Sequence, residues 1–286
     1  MLDRRQFLWC GCAAATRLCA AADSRIKLGI MDSALGLAGK TEAVALAASL
    51  GLEGLEIGCG RPAGGKPMPL ADPGLQARYL EELRKYRIAT AGVTLAALHS
   101  SPLKSDPAAP KWVAQGIEIA ARMRAGVLLL PFFSKAALET LEERNHVADL
   151  LKELAPAAAR TGVVLGLEDT LSAEDNARVL DRAGSSAVKV YYDVGNTTNL
   201  YGFDAPREIR WLGRDRICQV HVKDKGYLGE GKVDVAEVIR TLREVGFRGW
   251  VNLETTAPSG DVEADARRNL AYLRKLLAAG QRPDRR

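Results

Sequence analysis

Strand-like and helix-like segments alternate through almost the whole of this 286-residue chain. Eight short runs rich in Val, Ile and Leu indicate β-strands, and an amphipathic segment with helical periodicity follows each of them. The predicted strands are 25–30, 54–58, 88–98, 127–133, 163–169, 188–196, 217–224 and 249–256. The predicted helices are 41–50, 73–86, 110–124, 135–160, 173–183, 206–213, 235–245 and 262–277. Because strands joined through helices pair in parallel, eight such repeats predict an α/β fold, a single (β/α)8 barrel.

The first 22 residues do not belong to this pattern. They contain the pair Arg4-Arg5, a short run of small and apolar residues, and three alanines before Asp23. This segment resembles a twin-arginine export signal that is cleaved after about Ala22. We therefore expect a signal peptide over 1–22, the barrel over 23–280 and a flexible, solvated tail over 281–286. Export would place the mature protein in the periplasm or another extracytoplasmic compartment, whereas a non-functional leader would leave it in the cytoplasm.

Length and charge narrow the class of protein further. Removing residues 1–22 leaves 264 residues, close to the roughly 250 that are typical of one (β/α)8 barrel. The formal net charge is +5 and there is no concentrated Lys/Arg stripe, so nucleic acid is not an expected partner. No apolar run reaches roughly 18 residues, so stable membrane insertion of the mature chain is not expected. The sequence is compatible with a homo-oligomer.

The last four predicted strands each end on a residue that can ligate a metal ion. In the segments VVLGLED, VKVYYDVGN, ICQVHVKD and GWVNLETT these residues are Glu168, Asp193, His221 and Glu254. Their neighbours are mostly apolar, and strand side chains alternate between faces, so all four should point to the same side. Intervals of 25, 28 and 33 residues separate them, about one βα repeat each, so adjacent strands should carry them. Three carboxylates and one imidazole suit a hard or borderline divalent cation, and we expect one ion to reach all four.

Such a site favours proton transfer at a carbon beside a carbonyl group. A divalent ion that chelates the carbonyl and an adjacent hydroxyl oxygen would stabilise an enediolate. A carboxylate held at the metal could remove the proton, and a second group could return it. Neither step requires an organic cofactor, so one divalent ion is the predicted cofactor.

The strand-end sequences GLED, YYDVGN, HVKD and NLE resemble those of the sugar phosphate isomerase/epimerase superfamily. These proteins are xylose-isomerase-like TIM barrels that include tagatose 3-epimerases, hydroxypyruvate isomerase and inosose dehydratase. The resemblance implies that Glu168, Asp193, His221 and Glu254 bind Mn²⁺ or Mg²⁺, with Co²⁺ or Zn²⁺ as alternatives, and that the two glutamates act as base and acid. The implied activity is isomerisation or epimerisation of a small sugar, keto-sugar or polyol derivative. Asn196 departs from the pattern, because sugar epimerases often carry His there.

Four further residues are expected to bind the substrate. Glu56 points inward by parity in LEGLEIG, and His99 follows the third predicted strand. Lys223 shares the inward face of His221, and Asn196 offers a hydrogen-bonding group after Asp193. Glu56 could instead fill a polar layer of the barrel, and His99 could be a loop or core histidine.

Three other functions are compatible with parts of this pattern. A lyase or dehydratase acting on a keto-sugar could use the same site, if a leaving group departs after proton abstraction. A hydrolase like the endonuclease IV barrels would need several histidines for its zinc ions, and this chain has 3 in total. A carbohydrate-binding barrel without activity would be expected to lack a metal ligand, and all four are present.

Overall fold

A computed structural model describes residues 26–62 and 66–279 of the chain. In this structure eight parallel strands form a closed barrel in sequence order, and β8 pairs with β1 to close it. The strands are β1 Lys27–Met31, β2 Gly54–Gly58, β3 Ala89–Thr94, β4 Val127–Pro131, β5 Val164–Glu168, β6 Val188–Asp193, β7 Ile217–Val222 and β8 Trp250–Leu253. The predicted (β/α)8 fold is confirmed. The predicted signal peptide over 1–22 and the tail over 281–286 lie outside the described residues.

Helices surround this barrel on its outer face. Those in the described residues are α1 Glu42–Ser49, α2 Pro73–Tyr86, α3 Ala109–Arg122, α4 Leu141–Thr161, α5 Ala173–Ala183, α6 Val194–Asn199, α7 Ala205–Arg216, α8 Val235–Glu244 and α9 Val262–Ala279. Short 3₁₀ segments at Pro69–Ala71, Ala96–His99 and Ser134–Ala136 lie in loops that leave strands. None of the helices within residues 26–62 and 66–279 combines the length and apolar character that crossing a bilayer requires.

Six strands end earlier than the sequence predicts, and two of these differences change the position of a residue expected to bind the substrate. A strand was expected over 188–196, but β6 stops at Asp193 and α6 begins directly after it. The Asp193 side chain caps that helix, since its Oδ1 accepts a hydrogen bond from the Asn196 backbone N–H at 2.8 Å. A strand was also expected over 88–98, but β3 ends at Thr94 and His99 lies in the following 3₁₀ segment. His99 is therefore in a loop and not at a strand end.

The apolar core lies between the strands and the helices. Leu167, Val220, Val222 and Leu253, which neighbour the predicted ligands along their strands, are 0 % exposed and belong to this core. These residues point away from the barrel interior and are buried under the helices. The alternate side chains of β5 to β8 therefore face the inside of the barrel. The alternation that predicted a common direction for the ligands is thus present in the fold.

Candidate metal centre

The four predicted ligands lie together at the carboxyl-terminal edge of the barrel. Glu168 and Asp193 are the last residues of β5 and β6, His221 lies in β7, and Glu254 directly follows β8. One ligand atom from each residue lies within 4.8 Å of the corresponding atoms of the other three. Glu168, Asp193 and His221 are buried, whereas Glu254 is half-buried. The structure therefore collects the predicted carboxylates and imidazole into one compact cluster.

Asp193 presents its two carboxylate oxygens in different directions. Oδ1 accepts the hydrogen bond that caps α6, and the Asp193 backbone carbonyl accepts a further one from Thr197 Oγ1 at 2.7 Å. Oδ2 lies 2.7 Å from the Lys223 ammonium group. The helix thus fixes the rotamer of Asp193 and directs the second oxygen into the cluster.

The His221 ring connects the cluster with the interior of the barrel. Its Nδ1 lies 2.9 Å from Glu168 Oε1 and 3.2 Å from Glu254 Oε2. Its Nε2 lies 3.1 Å from Glu56 Oε2, on the opposite side of the ring. Burial alone would lower the pKa of His221, but the three carboxylates raise it well above its ordinary value. Nδ1 is therefore the nitrogen that faces the other ligands.

Lys223 lies beside the cluster and forms ion pairs with two of its acidic residues. Its Nζ is 2.8 Å from Glu254 Oε2 as well as close to Asp193. Burial opposes the charge of this lysine, but Asp193 and Glu254 raise its pKa above the ordinary value, so it stays cationic. Burial would raise the pKa of Glu254, yet His221 and Lys223 hold it below its ordinary value. Glu254 is consequently ionised at neutral pH.

The electrostatics of Asp193 indicate that the cluster favours additional positive charge. Burial raises the pKa of Asp193 well above its ordinary value, and the nearby charges of Glu254 and Glu168 raise it further. Three carboxylates and an imidazole are also the oxygen-rich set that Mg²⁺ and Mn²⁺ prefer, and Zn²⁺ or Co²⁺ can use it. The residues present therefore fit a divalent ion.

The structure places the four predicted substrate-binding residues differently from one another. Lys223 is at the cluster, and Asn196 lies next to it, in the first turn of α6 and 8 % exposed. His99 is half-buried; burial and Arg61 lower its pKa, while the charges of Glu168 and Glu254 act in the opposite direction. The charges of Glu168 and Glu254 thus act on the pKa of His99, so this histidine lies within electrostatic reach of the cluster.

Glu56 is in a different position, because its side chain is 0 % exposed and lies beneath His221. Its carboxylate accepts hydrogen bonds from Thr94 Oγ1 at 2.5 Å and Asn252 Nδ2 at 3.0 Å, and from the Tyr191 hydroxyl. This position gives Glu56 no surface toward a substrate above the cluster. The alternative expectation, a residue in a polar layer of the barrel, describes its surroundings.

Sequence reasoning did not identify the other members of this polar layer. Asn252 Nδ2 also donates to Gln219 Oε1 at 2.9 Å and to the Tyr191 hydroxyl at 2.7 Å. Tyr191, Gln219 and Asn252 each lie two residues before a metal-ligand candidate, namely Asp193, His221 and Glu254. Because strand side chains repeat with a period of two, this spacing was a usable signal that the three residues also face inward.

Comparisons with known proteins agree with this geometry. The sequence pattern of the xylose isomerase-like TIM barrel family matches residues 44–276. The chain belongs to this family. Its structural neighbours include several sugar 3-epimerases. A comparison with curated proteins finds no match.

Three solved structures illustrate the similarity in fold. The D-psicose 3-epimerase from Clostridium cellulolyticum H10 with D-tagatose has a TM-score of 0.74 at 17 % identity, over 88 % of this chain and 99 % of that chain. The 3-keto-D-glucoside 4-epimerase from E. coli gives 0.70 at 18 % identity, over 88 % and 100 %. The D-allulose 3-epimerase from Methylomonas sp. in complex with D-allulose gives 0.69 at 20 % identity, over 88 % and 97 %. At these identities the likeness shows a shared barrel.

Proposed function

We propose that this protein is a divalent-metal-dependent epimerase or isomerase of a small sugar, keto-sugar or polyol derivative. The observation that carries the proposal is the cluster of Glu168, Asp193, His221 and Glu254, whose ligand atoms lie within 4.8 Å of one another at the edge where barrel enzymes bind substrates. The names of the structural neighbours, which are epimerases of D-psicose, D-allulose and a keto-glucoside, support the substrate class.

The two glutamates are proposed as the groups that move protons. The cluster would hold Mn²⁺ or Mg²⁺, which when bound supplies Lewis acidity toward the carbonyl and hydroxyl oxygens of a substrate. Glu254 is ionised and half-buried, so its carboxylate can reach a substrate carbon and accept a proton. Glu168, whose Oε1 lies 2.9 Å from the His221 Nδ1 that Glu254 also contacts, is the second carboxylate available for returning a proton. One glutamate removes the proton beside the carbonyl and the other returns it.

The remaining polar residues would orient the substrate. The Lys223 ammonium lies 2.8 Å from Glu254 and carries a positive charge that can stabilise negative charge on a substrate oxygen. Asn196 and His99 lie near the same cluster and offer hydrogen bonds to hydroxyl groups. We propose these three residues as substrate contacts.

Solvent exchange offers a direct test. The purified protein would be incubated with unphosphorylated keto-sugars and Mn²⁺ in deuterated water, and carbon-bound deuterium and product epimers would be followed by NMR. Addition of EDTA should stop both, and metal analysis should find about one divalent ion per chain. Glu254→Gln should abolish turnover while preserving the fold, whereas Glu263→Gln on the exposed face of α9 serves as the matched control. Turnover that persists in Glu254→Gln would show that the two-glutamate mechanism is wrong.

A lyase or dehydratase is the second candidate, and Lys223 gives it a specific basis. Its ammonium group beside Glu254 could protonate a departing hydroxyl after the same proton abstraction. Mass spectrometry of the products separates the two reactions, since elimination removes one water from the keto-sugar and epimerisation leaves the mass unchanged. The nuclease alternative gains no support, because His221 is the single histidine of the cluster.

We also propose that residues 1–22 direct export by the twin-arginine route and that the mature protein acts in the periplasm or another extracytoplasmic compartment. The Arg4-Arg5 pair and the alanines before Asp23 support this. Replacing both arginines with lysine should retain the precursor in the cytoplasm, as followed by cell fractionation. Unchanged export of that double variant would contradict the proposal. An exported enzyme is expected to act on an unphosphorylated substrate.

A further inference from the structure

Glu56 and His221 form a contact between two strands that are far apart in the sequence. They are 165 residues apart in sequence, on β2 and β7, yet Glu56 Oε2 lies 3.1 Å from His221 Nε2 across the barrel interior. Both side chains are 0 % exposed. Both groups are closed off from bulk solvent, so their hydrogen bond does not compete with bonds to bulk water.

The surroundings of Glu56 are built to hold a carboxylate in place. A fully buried carboxylate is costly unless hydrogen-bond donors surround it, and here Thr94, Tyr191 and Asn252 donate to it in addition to His221. Glycine provides space for this polar layer, since a Cβ at Gly29 would overlap the Asn252 amide oxygen and one at Gly92 would lie 3.2 Å from Gln219 Oε1. An apolar side chain could fill this volume without the desolvation cost of a buried charge. The presence of a carboxylate here therefore indicates a specific role.

His221 supplies that explanation through its two nitrogens. Nδ1 faces Glu168 and Glu254, while Nε2 faces Glu56, which is not one of the four metal-ligand candidates. Carboxylates face both nitrogens, but an ion shared with Glu168 and Glu254 would exclude a hydrogen from Nδ1. The one N–H of a neutral imidazole then lies on Nε2, where Glu56 accepts it. The Nδ1 lone pair is then free for an ion. The Tyr191 ring, with its centroid 4.4 Å from that of His221, packs against the imidazole and restricts its rotation.

We propose that Glu56 is a positioning residue for the metal centre: by accepting the Nε2–H of His221 it fixes the tautomer and orientation in which Nδ1 ligates the ion. This inference rests on the proposed metal-dependent function, and it replaces the substrate-binding role expected for Glu56. Glu56 acts through His221 and does not itself contact the ion or the substrate.

A pair of variants separates the carboxylate charge from the integrity of the polar layer. Glu56→Gln keeps the shape and can still accept hydrogen bonds, but it loses the charge that holds the Nε2 hydrogen. Tyr191→Phe removes one hydrogen bond to Glu56 and leaves the charge and the aromatic ring in place. Mn²⁺ affinity would be measured by titration with electron paramagnetic resonance, and the fold of each variant by circular dichroism and thermal unfolding in EDTA. We expect Glu56→Gln to bind Mn²⁺ about 10–100-fold more weakly and Tyr191→Phe to lose much less.

Nitrogen NMR of the unaltered protein tests the same inference without a variant. With ¹⁵N-labelled histidine and Mg²⁺ or Zn²⁺, the His221 signals should show a hydrogen on Nε2 and a shift of Nδ1 on ion binding, with His99 and His146 as internal references. An ion-loaded protein with Nδ1 protonated and Nε2 ligating would overturn the inference. Equal Mn²⁺ affinity of Glu56→Gln and the unaltered protein would also overturn it while leaving the proposed function intact. Absence of ion binding in the unaltered protein would instead overturn the proposed function, and this inference with it.

Discussion

Replacing Gly195 with alanine should disturb the metal centre although the substitution touches no ligand. Gly195 is the second residue of α6, between Asp193 and Asn196, where the helix packs against the end of β7. A Cβ at this position would overlap the Lys223 side chain and lie 2.9 Å from the Lys223 carbonyl oxygen. The side chain can rotate away, but the backbone oxygen cannot, so α6 has to move.

The cost follows from two opposing effects. Forcing an extra carbon into a packed site destabilises by about 1–3 kcal/mol, and contact with backbone favours the upper part of that range. Alanine recovers up to about 1 kcal/mol of helix propensity relative to glycine. We therefore expect a net loss of about 1–2 kcal/mol in the free energy of unfolding, which corresponds to a melting temperature about 2–8 °C lower for a domain of this size.

The same movement should weaken ion binding. It displaces the Asn196 backbone N–H that orients Asp193 and the Lys223 ammonium that lies 2.7 Å from Asp193 Oδ2. Loss of such supporting contacts around a ligand typically costs at least about 10-fold in metal affinity. We expect a loss of about this size for Mn²⁺.

Calorimetric unfolding in EDTA and Mn²⁺ titration would measure both effects. Gly126→Ala is the matched control, because a Cβ there meets no atom within 4 Å and Gly126 does not have a positive φ. It should leave the stability nearly unchanged or slightly higher and the affinity unaffected. If Gly195→Ala behaves like Gly126→Ala in both measurements, the argument from close packing of α6 on β7 is refuted.

Three further predictions concern single side chains. His221→Ala should weaken Mn²⁺ binding, as it removes one ligand, and unchanged affinity on titration would count against the assignment. Burial raises the pKa of Asp169 to about 7, so the folded state binds a proton there more tightly than the unfolded state and stability falls as pH rises from about 4 to 7. Asp169→Asn should therefore stabilise the protein by about 1–3 kcal/mol at pH 8 but not at pH 4. Urea unfolding in EDTA at the two pH values would measure this, and an equal effect at both would contradict the prediction. Asp224 accepts hydrogen bonds from the backbone N–H groups of Lys225, Lys232 and Val233. Asp224→Ala should therefore lower the free energy of unfolding by about 2–4 kcal/mol and expose the loop 225–232 to proteolysis. An unchanged cleavage pattern would show that the loop does not depend on Asp224.

The barrel and its four metal-ligand candidates could be predicted because each depends on local patterns. Alternating apolar residues identify a strand within a few positions, and a repeat of about one strand and one helix identifies its neighbour in the barrel. Parity then gives the face to which Glu168, Asp193, His221 and Glu254 point. These signals need no knowledge of how distant segments meet, and the structure brings the four residues together as expected.

Strand ends were less accessible to this reasoning. Apolar content alone extended the sixth strand to residue 196, whereas the structure begins α6 at Val194. The decisive interaction is a hydrogen bond between the Asp193 carboxylate and the Asn196 backbone, and a side chain that caps a helix competes directly with continued strand pairing. The sequence contained both residues, but the apolar pattern did not show that the Asp193 side chain would cap a helix.

The partner of His221 was decided by tertiary structure alone. Parity shows that Glu56 points inward, but it does not show which of the other inward-facing residues it meets. The β2–β3 and β6–β7 pairings each contain a register shift, at Leu55/Glu56 and Val190/Tyr191. Such shifts, with the tilt and stagger of the strands, set the height of each side chain inside the barrel. They place Glu56 directly beneath His221, because heights inside a closed sheet depend on all eight strands at once and not on any single segment.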